Sequence, residues 1–261
     1  SEIIPLYRRL AGSGVIELSF TPFYHPIFPL VHDSGIASRS SGVPLPERFS
    51  YSEDAKWHLE EGKAYASKIW GKEVTGMWPA EGSVSPEIIE PALNAGVKWI
   101  ATDEGILLNS LGTQNKASVL YRPYRLKLNE EKHLTGFFRD KYLSDLLGFS
   151  FSRMEPDRAV DIFMNYVKSV TFNLPNGHPE PVVSVILDGE NAWESYPGNG
   201  EFFLKELFTR LSASTEIKTT TFGNITDTED HNVMQPISRL FSGSWINSNY
   251  DIWIGNDEDN E

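Results

Sequence analysis

Apolar and polar positions along this chain follow two rhythms, and the switches between them mark out helix-like and strand-like segments in turn. Ile3 to Leu10 reads as the end of a helix that Gly12 and Gly14 break. Val15 to Phe20 is a short β-branched and aromatic run that stops at Thr21-Pro22. A loop rich in Ser, Gly and Pro follows from Asp33 to Pro46, long enough to suggest a functional role. Ser52 is expected to cap a helix with Glu53 and Asp54 in its first turn, whose Ala55, Leu59, Gly62, Ala66 and Ile69 share one face. Thr75 to Trp78 reads as a strand closed by Pro79, and Ser85-Pro86 opens a helix that Gly96 ends. Lys98 to Ala101 and Leu134 to Phe138 are strand-like, with Ser110 to Glu131 between them reading as loop. The helical stripe Ala159, Ile162, Phe163, Tyr166, Val167 and Val170 precedes Pro181 to Leu187, the most strand-like run in the chain. Phe203, Leu204, Leu207, Phe208 and Leu211 mark a last helix.

Five strands alternating with helices or long loops predict an α/β fold. Its sheet is expected to be parallel, with right-handed crossovers, either open or closed into a barrel. In such a sheet the polar residues that end each strand gather on one rim. That rim is expected to hold Glu17 with His25, Glu81, Asp103 with Glu104, Arg139 with Asp140, and Asp188 with Glu190. The whole of residues 1–261 is read as one domain.

Composition narrows what the rim can meet. A formal net charge of −13, with no basic patch, disfavours nucleic acid and anionic membrane surfaces as partners. No apolar run approaches the roughly 18 residues of a membrane span, and Ser1 to Leu10 lacks the architecture of a signal peptide. The chain is therefore expected to be soluble, and cytoplasmic rather than secreted. The absence of cysteine removes disulfides, thiolate metal sites and thiol catalysis together. Neither a cofactor nor a metal is expected.

Two of the rim carboxylates stand beside a tryptophan. Glu81 follows Trp78-Pro79-Ala80, and Asp188 leads into Glu190 and Trp193. A pair of carboxylates is what glycoside hydrolysis requires: one attacks the anomeric carbon or supports a water, while the other donates a proton to the leaving oxygen. The tryptophans would offer stacking faces to a pyranose ring, or simply pack as core. Glu81 could equally cap its own helix. His25 is a candidate for binding a sugar hydroxyl or a histidine satisfied by backbone. Arg139 could orient a carboxylate, bind sugar, or pair with Asp140 or Glu104. Asp103 and Glu104 could support the site or cap a helix, and Trp245 and Trp253 could pack at the rim or line a subsite.

Trp78-Pro79-Ala80-Glu81 with Gly82, and Leu187-Asp188-Gly189-Glu190-Asn191 with Trp193, resemble the third and fourth signature regions of glycoside hydrolase family 57. Gly14 to Glu17 with Pro22-Phe23-Tyr24-His25-Pro26 is similar to the second region, and Gly243-Ser244-Trp245 to Trp253 to the fifth. The resemblance implies a (β/α)7 barrel acting on α-glucans (starch, glycogen, maltodextrins) by a retaining mechanism. Glu81 falls on the family nucleophile and Asp188 on its general acid/base. Glu17, His25, Trp78, Trp193, Arg139, Glu190 and Trp245 are then the expected substrate contacts. The default activity is of the α-amylase or amylopullulanase type, with 4-α-glucanotransferase or branching activity as the alternative.

The family's first region, a His-Gln-Pro motif, has no counterpart among these residues. The barrel is accordingly expected to be incomplete here, its first strands or flanking domains belonging to a longer parent chain. A non-catalytic glucan-binding piece is a second alternative. A metal-dependent carbohydrate deacetylase is a third, which would need a His-x-x-x-His pair that the six histidines do not form.

Overall fold

The computed structural model describes residues 2–189, 192–231 and 233–255. The helices in chain order are α1 (Ile3–Gly12), α2 (Phe28–His32), α3 (Ser52–Trp70), α4 (Ile89–Asn94), α5 (Glu104–Leu111), α6 (Lys116–Val119), α7 (Lys141–Asp145), α8 (Pro156–Phe172), α9 (Glu201–Ala213) and α10 (Phe222–Thr228). Interleaved with them are the strands β1 (Gly76–Met77), β2 (Trp99–Asp103), β3 (Tyr124–Lys127), β4 (His133–Arg139) and β5 (Gln235–Ile237). The chain divides into two compact units. The first comprises residues 1–113, 123–138 and 221–261, and the second 114–122 and 139–220.

The first unit is built on the sheet, whose strand order is β1-β2-β4-β3-β5. β1 pairs with β2 and β3 with β5 in parallel, as strand–helix alternation predicts. β3 and β4, however, are antiparallel, with Tyr124 opposite Gly136 and Lys127 opposite His133. The local reason is a turn at Asn129, whose side-chain oxygen accepts the backbone N–H groups of Glu131 and Lys132. That turn is tight enough to return the chain beside itself. β3 lies in the stretch expected to be loop, and its period of two is real but short: Tyr124 and Leu126 are fully buried, Arg125 and Lys127 half-buried.

Two expected strands are barely strands. Val15 to Phe20 is extended but pairs only at its end, where Phe20 bridges Met77. Its N–H reaches Gly76 O at 3.0 Å and its carbonyl accepts from Trp78 N at 2.9 Å. Pro181 to Leu187 is likewise extended, with a single parallel bridge from Ser184 to Arg139. Apolar character on both faces did not bring burial on both: within these runs only Phe20 and Ser184 are buried, and an apolar run does not by itself supply a neighbouring ladder.

Helix placement follows the apolar stripes. α3 buries Ala55, Leu59 and Gly62 and ends on Gly71 in the left-handed region (φ 72°). Ser52 is its first residue, and the capping position falls on Tyr51, which makes no side-chain cap bond. Pro86 opens a short 3-10 turn that runs into α4, and Ser85 makes no side-chain cap bond either. In the second unit, α8 and α9 pack through Ala159, Val160, Phe163, Met164, Phe203 and Leu207 into one core with Leu143, Leu147, Phe151 and Tyr196. No helix among the described residues is long and apolar enough to cross a membrane.

Candidate active site

Glu81 stands immediately past β1, as Pro79 requires. Its backbone lies in the left-handed region (φ 56°, ψ 25°), followed by Gly82 at φ 58°. For a glutamate that conformation costs about 1–2 kcal/mol, so the surroundings must hold it. They do so chiefly through backbone. Gly82 N–H reaches Pro79 O at 2.8 Å, Trp245 N–H reaches Glu81 O at 3.1 Å, and Val84 and Gly243 exchange hydrogen bonds of 2.8 and 3.0 Å. The Thr102 hydroxyl, at the end of β2, donates to Gly82 O at 2.6 Å. A side chain at Gly82 would be tight, since a Cβ there would lie 3.0 Å from the Trp78 ring, which would have to give way.

The Glu81 carboxylate is held from two sides. Oε2 accepts the Trp245 indole N–H at 2.9 Å, and Oε1 stands 3.5 Å from His25 Nε2. Trp78 and Trp245 meet edge to face at 5.2 Å, and the carboxylate remains 30% exposed beside them. His25 and Tyr24 are both in the left-handed region (φ 56° and 61°). Glu81, His25, Trp78 and Trp245 are thus brought together as one constellation.

Glu17 has a different position. Oε1 accepts the Trp99 indole N–H at 2.9 Å, and Oε2 accepts Gly223 N–H at 2.8 Å in the first turn of α10. Both oxygens are engaged in tying β2 and α10 to the extended run, work that a lone acidic residue in an apolar run does not reveal in sequence. Asp103 caps α5 by accepting Gly105 N–H at 3.0 Å. Trp253 packs against a small core of Ile36, Ala37, Tyr250 and Ile254.

In the second unit, Asp188 is half-buried at the end of the extended run 181–187. That run is held by side chains as well as by backbone, with Val182 N–H donating to Tyr121 O at 3.0 Å. Arg139, itself buried, donates Nε to Ile186 O at 2.7 Å and a terminal nitrogen to Asp145 Oδ1 at 2.5 Å. Ser144 Oγ accepts Ile186 N–H at 3.1 Å, and Asp140 N–H donates to Ser184 O at 2.8 Å. Burial alone would raise the Asp145 carboxyl, but its bonds to Lys141 and Arg139 outweigh that and keep it below the usual aspartate value.

Asp140 next to Arg139 is fully buried and fully engaged. Oδ1 takes Lys116 Nζ at 2.9 Å and Leu143 N–H at 3.1 Å, while Oδ2 takes the Tyr121 and Tyr166 hydroxyls at 3.1 and 2.9 Å. Burial, then the Tyr121 hydroxyl and the Asp140 carboxylate, push the Tyr166 hydroxyl far up from its ordinary value. Trp193 packs on Tyr196 and Phe203 in the core of this unit. Glu190 lies outside the described residues, as does the acidic stretch 256–261. The roles of Ser144 and Asp145 escape sequence reasoning, although polar residues directly behind the buried strand Leu134 to Phe138 are a usable signal. Among the described residues no group of three or more His, Asp or Glu side chains is gathered as a metal site.

The sequence profile of glycosyl hydrolase family 57 matches residues 1–238. The chain belongs to this family. Its relatives include a family member named α-amylase from Pyrococcus horikoshii, 26% identical over 83% of this chain and 29% of that protein. Among solved structures, this family 57 chain superposes on the 4-α-glucanotransferase of Thermococcus litoralis with a TM-score of 0.68 at 22% identity, covering 93% of this chain and 32% of the other. It superposes on the family 57 branching enzyme of Pyrococcus horikoshii with a TM-score of 0.76 at 15% identity, covering 99% of this chain and 53% of the other. The fold is therefore the α/β fold of the family's barrel enzymes. The chain spans about three-tenths of the length of the curated relatives it matches.

Proposed function

We propose that this chain carries the reacting carboxylates of a retaining enzyme that acts on α-glucans. The observation that carries the reading is Glu81, a partly exposed carboxylate fixed by Trp245 and His25 at the mouth of β1 and flanked by a tryptophan pair. Family membership and relatives named α-amylase and 4-α-glucanotransferase support the substrate class.

Glu81 attacks the anomeric carbon as the bond to the leaving oxygen breaks, and Asp188 gives that oxygen its proton. The glycosyl-enzyme is then resolved when Asp188 takes a proton from water, whose oxygen attacks the anomeric carbon and releases Glu81. Trp245 and His25 hold the Glu81 carboxylate in line, and Trp78 supplies an apolar edge for the sugar. Retention calls for carboxyl carbons about 5–5.5 Å apart in a crystal structure of the chain with a bound oligosaccharide.

The test is turnover of maltoheptaose, with the product anomer followed by proton NMR. Asp188→Asn is expected to lose about 10²- to 10⁴-fold in rate, and Glu81→Gln at least as much. Products of retained configuration are expected; inverted products, or a Glu81→Gln variant as fast as the parent, would refute the assignment. The likeness to the glucanotransferase and branching enzyme favours a second reading, in which a sugar hydroxyl replaces water in the second step. Chromatography separates the two, since only transfer yields oligosaccharides longer than the substrate.

A further inference from the structure

Beside Glu81 the first unit exposes more aromatic surface than its fold uses. The loop Phe23 to His25 is clamped to α3: Phe23 N–H donates to His58 O at 2.7 Å, and His58 Nδ1 donates to Phe23 O at 2.5 Å. Gly62 permits the contact, since a Cβ there would lie 2.6 Å from Thr21 O and 2.8 Å from Phe23 N. From this rigid base Tyr24 projects with its side chain 80% exposed, in a left-handed conformation that tyrosine rarely adopts. Trp57, on α3, is 48% exposed and its ring lies 6.4 Å from Tyr24, the planes inclined by 38°. Phe23 supports both from beneath, 4.6 Å from Tyr24 and edge-on to Trp57 at 5.8 Å.

Burial cannot account for this arrangement. An exposed ring gains little from folding, and the backbone at Tyr24 and His25 is held in a costly region to present it. Its place in the chain is informative, because the next residue is His25, which stands 3.5 Å from the Glu81 carboxylate. The platform is thus joined to the site through a single residue. Aromatic faces suit the C–H faces of pyranose rings, leaving sugar hydroxyls in water. Two faces inclined to each other fit a chain that curves, as an α-1,4-glucan does, better than a flat β-1,4 chain.

We propose that Tyr24 and Trp57 form a binding platform for successive glucose units of an α-1,4-glucan whose reacting end lies at Glu81. The proposal rests on the function proposed above. It is tested by calorimetric titration with maltoheptaose of the Glu81→Gln chain, which stops turnover, alone and combined with Tyr24→Ala or Trp57→Ala. Each alanine is expected to raise the Kd about tenfold. Tyr24→Phe, which keeps the ring, is expected to stay near the parent value, and cellohexaose to bind more weakly than maltoheptaose. Circular dichroism melts of the same variants separate lost binding from lost fold.

If the parent binds maltoheptaose and the folded alanine variants bind it equally well, the platform is refuted while the catalytic reading stands. If the unsubstituted chain neither binds nor turns over maltoheptaose, both fall. Turnover that depends on Glu81 reports on the catalytic reading separately.

Discussion

Glu81 and Asp188 each close a short extended run, yet the two runs are secured in different ways. Around Glu81 the work is done by backbone: a paired β1, a left-handed turn, and main-chain bonds from Trp245 and between Val84 and Gly243. The run before Asp188 has one bridge to Arg139 and one further main-chain bond, from Val182 N–H to Tyr121 O, and its end at Ile186 is splinted by a guanidinium and a hydroxyl. A backbone cage spreads its support over many groups. A side-chain splint concentrates it, so single substitutions should tell the two apart.

The largest effect is expected at Arg139. Arg139→Ala removes the buried donor to Ile186 O and one of the two cations on Asp145, which keeps Lys141, at a cost of about 2–4 kcal/mol in urea unfolding. Hydrogen exchange at the amides of 184–187 should quicken, while that of Gly82 and Val84 stays slow. Arg139→Lys keeps the charge but cannot reproduce the fork, so it should recover only part of the loss. Equal exchange at 184–187 in parent and Arg139→Ala would break the comparison.

Gly82→Ala probes the other side. The added methyl group meets the Trp78 ring at 3.0 Å on a backbone at φ 58°, and the cost should be about 1–3 kcal/mol. Because the turn carries Glu81, turnover of maltoheptaose should fall further than stability alone explains. A variant with wild-type stability would show that the turn gives way more easily than its bonds imply.

The contrast between the two regions also marks what could be read from sequence. α3, α8 and α9 were legible because a stripe at helical period specifies a helix and the face it buries at once. The place of Glu81 was legible for a local reason, since Pro79 has no N–H to continue a ladder. Residues 181–187 were harder: their apolar run suggests burial on both faces, whereas Val183, Val185 and Leu187 pack only partly buried on the core and Ser184 alone is buried, and ladder partners are chosen by distant residues. The β3–β4 hairpin was hidden because four alternating residues beside a polar turn resemble a loop. The engagement of Glu17 by Trp99 and Gly223, and of Arg139 by Ile186, joins residues far apart in sequence. No local pattern encodes such partners.

Trp245→Phe sharpens the comparison at smaller cost. It keeps most of the ring packed against Trp78 and deletes the indole N–H that holds Glu81 Oε2. Stability should fall by about 1 kcal/mol or less, the net value of one partly exposed hydrogen bond. If the bond aligns the nucleophile, kcat for maltoheptaose should drop while KM changes little. A rise in KM with kcat unchanged would instead make Trp245 a contact for sugar alone.

Acid should draw on different groups in different pH ranges. Burial, followed by the neighbouring His231, Arg125 and Lys127, holds the β4 residue His133 below the ordinary histidine value of 6.5. His133 Nε2 lies 3.2 Å from His231 Nδ1, so a second proton on the pair is disfavoured. The unfolded chain therefore binds a proton at His133 before the folded chain does. Its contribution to stability is present above about pH 6.5 and is lost as pH falls through that value towards the folded pKa. Asp145 beside Arg139 lies below its ordinary 3.8, so its contribution is present above that value and is lost only as pH falls beneath it. Urea midpoints measured from about pH 8 to pH 2 should decline first through the histidine range, where His178 in the second unit, also held below 6.5 chiefly by burial, adds to His133, and again below about pH 4. His133→Gln abolishes the His133 titration and should flatten the decline between about pH 7 and pH 5, leaving the acid loss below pH 4 in place. An unchanged slope in His133→Gln would assign the neutral-range loss to another group, with His178 the next to replace.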